Sequence, residues 1–291
     1  MARTRELALP RRSQPQGAAR PADAYRDLHA AFIGDQPALI GSGGSVWTRV
    51  GNPLTVVTPF GIGSRAADYS SAESRFLAPQ IDGSTLAWPG ITVVCVVHGV
   101  SVADGEYPGA ISILPAGAGE YYGCANLSVE WGAYRNVLWR AGDSPTAITV
   151  TGYGGAARHE WSAGDSLVIV GRWDKSTVTL SMLRNGELHT RSNAHAYGWR
   201  SGAHEVAVGG YVRNGNRMMA SPIALAAIIP RDVGLDAERR LLADPWSLFA
   251  PIQRRVPLPG AAPSSVPDIT AVIAESILSD RVSYRATLNY A

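Results

Sequence analysis

Only one stretch of this 291-residue chain carries a convincing helical pattern. It lies near Asp236 to Leu242, inside the run Asp232-Val-Gly-Leu-Asp-Ala-Glu-Arg-Arg-Leu-Leu-Ala-Asp-Pro-Trp-Ser-Leu-Phe249. Asp244-Pro245 stops it, because proline cannot continue a helix and biases the residue before it toward extended backbone. Trp246 and Phe249 then read as an aromatic anchor. From about Leu39 onward the rest is short strand-like segments divided by turn signals. Thr92-Val-Val-Cys-Val-Val-His98 is continuously apolar, as a strand covered on both faces requires. Asn136 to Arg140, Ala147 to Thr151, Leu167 to Trp173, Glu205 to Tyr211 and Pro222 to Ile229 add further strands. Thr177 to Leu183 and Leu188 to Thr190 flank Asn185-Gly186, the pair that accepts positive φ at both centres of a type I′ hairpin turn. Many strands at spacings near ten residues, with one helix, predict an all-β sandwich or barrel. Tyr25 to Ile33 fits either a helical turn or a strand.

Composition agrees. Charged residues make up only 17% of the chain, with 31 Gly and 19 Pro, a balance suited to strands joined by turns. A net charge of +2 lacks the basic excess of a dedicated nucleic-acid binder, so no nucleic-acid partner is expected. The longest apolar run, Ile91 to Val97, falls far short of the roughly 20 residues of a spanning helix, so no membrane partner is expected. Met-Ala-Arg-Thr-Arg is followed by no apolar signal core, and export by a signal peptide is not expected. Cys95 lies in the apolar run and reads as a small core residue. Two cysteines, Cys95 and Cys124, cannot build a disulfide framework, and both are expected as reduced thiols.

The ends differ from the middle. Residues 1–24 are poor in apolar side chains, and five arginines (Arg3, Arg5, Arg11, Arg12, Arg20) face Glu6 and Asp23, five minus two, or +3. Such a segment buries too little surface to order itself, and it reads as a basic flexible arm. Residues 25–250 form the sandwich. Residues 251–267 are a Pro-rich linker, held extended by its prolines. Residues 268–291 read as a C-terminal β-hairpin. There Val282, Tyr284, Ala286, Leu288 and Tyr290 alternate with Ser283, Arg285, Thr287 and Asn289, giving one apolar and one polar face. A lone hairpin is marginal in water, so the face with Val282, Tyr284, Leu288 and Tyr290 needs a partner.

The order Leu167-Val-Ile-Val-Gly-Arg-Trp-Asp174, a strand ending in Asn185-Gly-Glu187, Val208-Gly-Gly210, Ile223 to Ile229 and a short helix resembles the concanavalin A-like (laminin G-like) jelly roll. The ending Leu242-Ala-Asp-Pro-Trp-Ser-Leu-Phe249 resembles the bacteriophage and prophage branch of such domains. The stretches Val266-Pro-Asp-Ile-Thr270 and Ala286-Thr-Leu-Asn-Tyr290 resemble C-terminal tails of phage-encoded proteins. Residues 165–291 carry the resemblance, and it is weak over 25–164. It implies a virion structural protein of a tailed phage, for capsid decoration or in the tail. The partners would be other virion proteins and sister subunits, in a homo-oligomer. Arg3, Arg5, Arg11 and Arg12 in the arm, and Val282, Tyr284, Leu288 and Tyr290 in the tail, would make the attachment.

Catalysis finds little support in the sequence. Glycoside hydrolysis needs two carboxylates flanking the scissile bond. Glu120, Glu130, Glu160, Glu187 and Glu205 are each isolated, so no catalytic residue is assigned and no enzyme is expected. No Gly-x-Ser-x-Gly elbow is present. The six histidines show no ligand pair at helical spacing, although His189 and His195 lie near one loop. No cofactor is expected. Calcium occurs in relatives of this fold, but no Asp-rich loop points to it, and the metal content stays open. Carbohydrate binding is the rival reading, with host-surface glycans as the partner, because Trp and Tyr rings stack on sugar faces and offer a polar edge. Trp131, Tyr134, Trp139, Tyr153, Trp161, Trp173, Tyr197 and Trp199 are available, although large aromatics in a sandwich normally fill the space between the sheets. Tyr153, Tyr197 and Trp199 lie in loops and are the candidate glycan contacts.

Overall fold

The computed structural model describes residues 21–34, 48–65, 74–82, 88–98, 109–115, 125–129, 137–142, 165–194, 198–199, 201–210 and 221–250. All of them belong to the first of two units, Met1–Pro251; the second is Ile252–Ala291. The arm residues Arg3, Arg5, Arg11 and Arg12, the tail residues Val282, Tyr284, Leu288 and Tyr290, and the segment Ala147 to Thr151 lie outside the described residues.

The described chain is a sandwich of antiparallel sheets. Its strands are β1 (Ala30–Ile33), β2 (Thr48–Gly51), β3 (Leu54–Thr58), β4 (Gly61–Arg65), β5 (Ser74–Asp82), β6 (Ile91–His98) and β7 (Gly109–Pro115). They continue as β8 (Ala125–Val129), β9 (Val137–Ala141), β10 (Ser166–Trp173), β11 (Thr177–Arg184), β12 (Glu187–Ala194), β13 (Ala203–Val208) and β14 (Ile223–Ile229). Among the described residues one sheet runs β12-β11-β10-β6-β14-β4-β3, with β1 also paired to β14, and the other runs β2-β5-β13-β7-β8-β9. The helix α1 (Gly234–Ala243) follows the last strand, and Pro245–Leu248 makes one 3-10 turn after it. Among the described residues this is a jelly-roll-like architecture with a single short α-helix, as the segment pattern predicts.

The apolar run at Thr92–His98 lies where its composition requires. Strand β6 sits between β10 and β14, and Ile91 to Val97 are buried without exception. Cys95 is a free thiol at its centre, and burial pushes that thiol far above its ordinary pKa. The hairpin at Asn185-Gly186 also forms, with φ of 45° and 91° at the two residues and Arg184 opposite Glu187. Its second strand runs farther than Thr190, to Ala194. Tyr25 to Ile33 divides between both readings. A 3-10 turn covers Asp23–Tyr25, and β1 follows.

Within the shared apolar core, one contact between the two sheets is an indole set on a glycine. Trp139 of β9 is fully buried, and a Cβ placed on Gly171 of β10 would lie 2.7 Å from its ring. The absence of a side chain at Gly171 is therefore what lets the ring lie flat against the opposite strand. The Trp139 Nε1–H donates to the carbonyl of Arg172 at 3.1 Å, so the only polar atom of the indole is satisfied inside the core. Gly171 pairs with Val93 and Leu180, which places both on this interior face. The next residue, Arg172, points to the other face, where α1 lies. Gly171→Ala should destabilise the fold by about 1–3 kcal/mol through overpacking against Trp139. A denaturant melt measures this, and near-wild-type stability would show that the two sheets separate easily here.

Candidate functional site

Three clusters of polar or aromatic side chains could carry chemistry. The first lies under α1. Arg172 donates from Nη1 to Asp232 Oδ1 at 2.7 Å and from Nε to Glu238 Oε2, and the Ser181 hydroxyl donates to Glu238 Oε1. Two carboxylates do converge here, although Asp232 and Glu238 are not among the isolated glutamates noted in sequence. The Glu238 side chain is only 2% exposed, and both acids are spent on one guanidinium. A glycosidase needs room for a sugar between its acids. This arrangement gives none, and the cluster holds the helix to the sheet. Burial alone would lower the Arg172 pKa, but the two carboxylates outweigh it and hold it raised.

The second cluster is at the start of β10. His98 Nδ1 and the Ser166 hydroxyl are 2.7 Å apart, in the geometry of a base beside a nucleophile. They are also direct cross-strand partners, which explains the contact without chemistry. Asp165 next to them takes Arg184 Nε at 2.9 Å and the Asn185 amide at 2.8 Å, tying the hairpin turn to β10. Of the histidines grouped in sequence, His189 lies in strand β12 opposite Met182, as the hairpin pattern predicts, with Glu187 at 3.6 Å. His195 lies outside the described residues. No group of three or more His, Cys, Asp or Glu side chains gathers as a ligand set among the described residues.

The third cluster is aromatic, and it is the candidate site. Trp173 closes β10 and is fully buried. Gly142, with φ of +73°, lets the chain pass close by; a Cβ there would meet the Trp173 ring at 3.1 Å. Trp199 stands edge-on to Trp173, with centroids 4.8 Å apart and planes at 80°. Trp88 stands edge-on to Trp199 at 5.8 Å and 89°, and the Trp199 Nε1–H donates to the Trp88 carbonyl at 3.1 Å. His29 completes the file against Trp88 at 5.0 Å. Burial lowers the His29 pKa, so its ring is held neutral against the indole. Gly90 seats this loop: a Cβ on it would lie 2.3 Å from the Trp173 carbonyl.

Four rings thus run from the core to the surface, and the outer indoles, Trp88 and Trp199, are half-buried. Their perpendicular planes offer two apolar walls fixed by edge-to-face contact and a backbone hydrogen bond. The loop placement of Trp199 was legible in sequence. Trp88 and His29 were not singled out, and Trp88-Pro89-Gly90 before the apolar strand was the available signal. Tyr153 and Tyr197 lie outside the described residues. Trp139 and Trp173 are fully buried in the core, the ordinary place of a large aromatic in a sandwich.

No family model matches the chain, and no curated protein does. Solved structures do match. The binding domain of Paraclostridial Mosquitocidal Protein 1 is similar at a TM-score of 0.53 and 10% identity, covering 77% of this chain and 53% of that one. The binding domain of Botulinum Neurotoxin DC in complex with SialylT is similar at 0.52 and 8% identity, covering 76% and 52%. A Trypanosoma rangeli sialidase complex is similar at 0.50 and 14% identity, covering 81% and 36%. The chain spans about half the length of the two toxin chains, 53% and 52%, and 36% of the sialidase. At such identities the likeness shows the fold alone.

Removing Glu238 leaves Arg172 buried with one acid partner fewer. Glu238→Ala should cost about 1–3 kcal/mol of stability, less than the roughly 3–5 kcal/mol for an unpartnered buried charge because Asp232 still holds Arg172. Thermal or denaturant unfolding measures it, and a loss under half that range would show that water reaches the cluster.

Proposed function

We propose that this chain is a non-enzymatic binding module that takes a sugar ring at the Trp88–Trp199 surface, and that it works as a structural protein of a phage particle. The observation that carries the sugar reading is the half-buried pair of indoles held at 89° to each other. Fixed aromatic walls at a surface lose little entropy on binding and suit the C–H face of a pyranose. His29, held neutral by burial, keeps the site uncharged on that side. A toxin binding domain of this fold was solved with SialylT, and the shared fold alone transfers no ligand, so the argument stands on the rings. The absence of an enzyme activity is part of the proposal. It is supported by the capture of Asp232 and Glu238 on Arg172.

The test is a glycan array probed with the purified full chain. Hits are expected, and Trp199→Ala should weaken them about fivefold or more, since a ring contact is worth roughly 1 kcal/mol. An array without hits removes the sugar reading and leaves assembly standing alone.

The assembly reading has its own observation. Trp246, Leu248 and Phe249, in the stretch that resembles the phage branch, are buried in the core of the first unit. The tail of 268–291 would pair with a partner through Val282, Tyr284, Leu288 and Tyr290. Truncation after Pro259 should leave a folded body that no longer assembles. Normal oligomerisation and particle entry by the truncated chain would show that the tail is not the attachment device.

A further inference from the structure

Strand β10 ends at Trp173, and the turn that follows stands beside the loop of the outer indoles. A Cβ on Gly90 would lie 2.3 Å from the Trp173 carbonyl, 3.3 Å from the Asp174 Cα and 3.0 Å from the Asp232 amide nitrogen. Lys175 is one Cα step beyond Asp174, about 3.8 Å. Trp88 lies two residues before Gly90, so at most roughly 7 Å of chain separates those two. Lys175 is therefore tethered at the edge of the surface where Trp88 and Trp199 stand half-buried.

Two properties set this lysine apart. Its φ is +73°, in the left-handed region that a glycine or asparagine occupies at far less cost. A long side chain kept in a strained turn points to a use for that side chain. Its charge is also unspent: Lys175 is exposed and makes no hydrogen bond or ion pair among the described residues. Its charged neighbours are answered. Asp174 Oδ1 accepts the amides of Ser176 at 2.8 Å and Thr177 at 2.6 Å, and the Ser176 hydroxyl at 2.8 Å. Burial alone would raise the Asp174 pKa, but these bonds outweigh it and hold it lowered. Asp232 is held by Arg172 at 2.7 Å, and Arg231 by Asp27 at 2.6 Å. On the other flank of Trp88, His29 is kept neutral by burial, so the free charge comes from one side only.

We infer that Lys175 reads charge for the Trp88–Trp199 surface, and that the ligand is an acidic sugar whose carboxylate meets the ammonium while a ring face lies on the indoles. This rests on the sugar half of the reading above and narrows it to a class. Indoles take the apolar face of a pyranose and do not select for a negative charge, so the ammonium supplies the preference. An ammonium on a flexible stem is a compact point charge, which suits a single carboxylate and needs no fixed fork. One lysine is too little for a polyphosphate, whose binders neutralise several phosphates.

The full chain is measured on a printed panel of oligogalacturonate and hyaluronan oligosaccharides, each as the free acid and as its carboxyl methyl ester, beside neutral glycans. A bound acid should be held about threefold or more tighter than its own ester, the worth of one partly exposed charge pair, and the gap should close as salt rises. Lys175→Gly relieves the left-handed turn, so the fold should melt no lower while the acid-to-ester ratio falls to about one. Lys175→Arg should keep the ratio. Trp199→Ala should lower acid and ester binding together. A ratio near one in the wild-type chain, or hits confined to neutral glycans, would overturn the inference and leave the sugar reading standing. A ratio that survives Lys175→Gly would overturn it too, since the charge would then be read elsewhere. Binding to no glycan at all would remove both.

Discussion

Trp139 lying against Gly171 is the contact on which the sandwich turns. One sheet supplies an indole and the other supplies a gap, and a Cβ in that gap would sit 2.7 Å from the ring. Interiors are close-packed, so such a ring fixes the separation of the sheets locally. The hydrogen bond from Nε1 to the Arg172 carbonyl fixes its rotation as well. Because side chains alternate along a strand, placing Gly171 inward sends Arg172 outward. The guanidinium that holds α1 is thus positioned by the same strand that seats Trp139.

On that outer face, charge does what apolar contact does inside. Arg172 gathers Asp232 from the loop before α1 and Glu238 from the helix, and Ser181 of the neighbouring strand also donates to Glu238. The Ser181 and Thr190 hydroxyls lie 2.9 Å apart, which carries the network to the edge strand β12. Breaking such a network is far more costly than never having built it, since the remaining charge stays buried. It acts beside an apolar side of the helix: Leu241 and Leu242 are buried, and Trp246 and Phe249 follow them into the core. The helix end, the aromatic anchor and the bridge to Pro21 form one continuous closure of the sandwich.

That closure separates two regions of different character. The file Trp173–Trp199–Trp88–His29 grows out of the end of β10 and is held by ring contacts and close glycines. The bridge of Pro21 to Phe249 is held by backbone hydrogen bonds.

Local pattern was enough to reveal the all-β class, the continuous apolar strand β6, the Asn185-Gly186 turn and the helix stopped at Asp244-Pro245. Each depends on period, on positive φ or on the missing amide of proline, and all of these act over a few residues. The loop position of Trp199 was legible for the same reason. Long-range pairing was not legible. No local signal brings Glu238 and Asp232 onto Arg172, stacks Trp88 between His29 and Trp199, or pairs Pro21 with Phe249. Those partners lie far apart along the chain, and only the order of strands in the sheets decides which ends meet. Side-chain chemistry made these residues capable of such contacts, and the tertiary fold selected which of them were made.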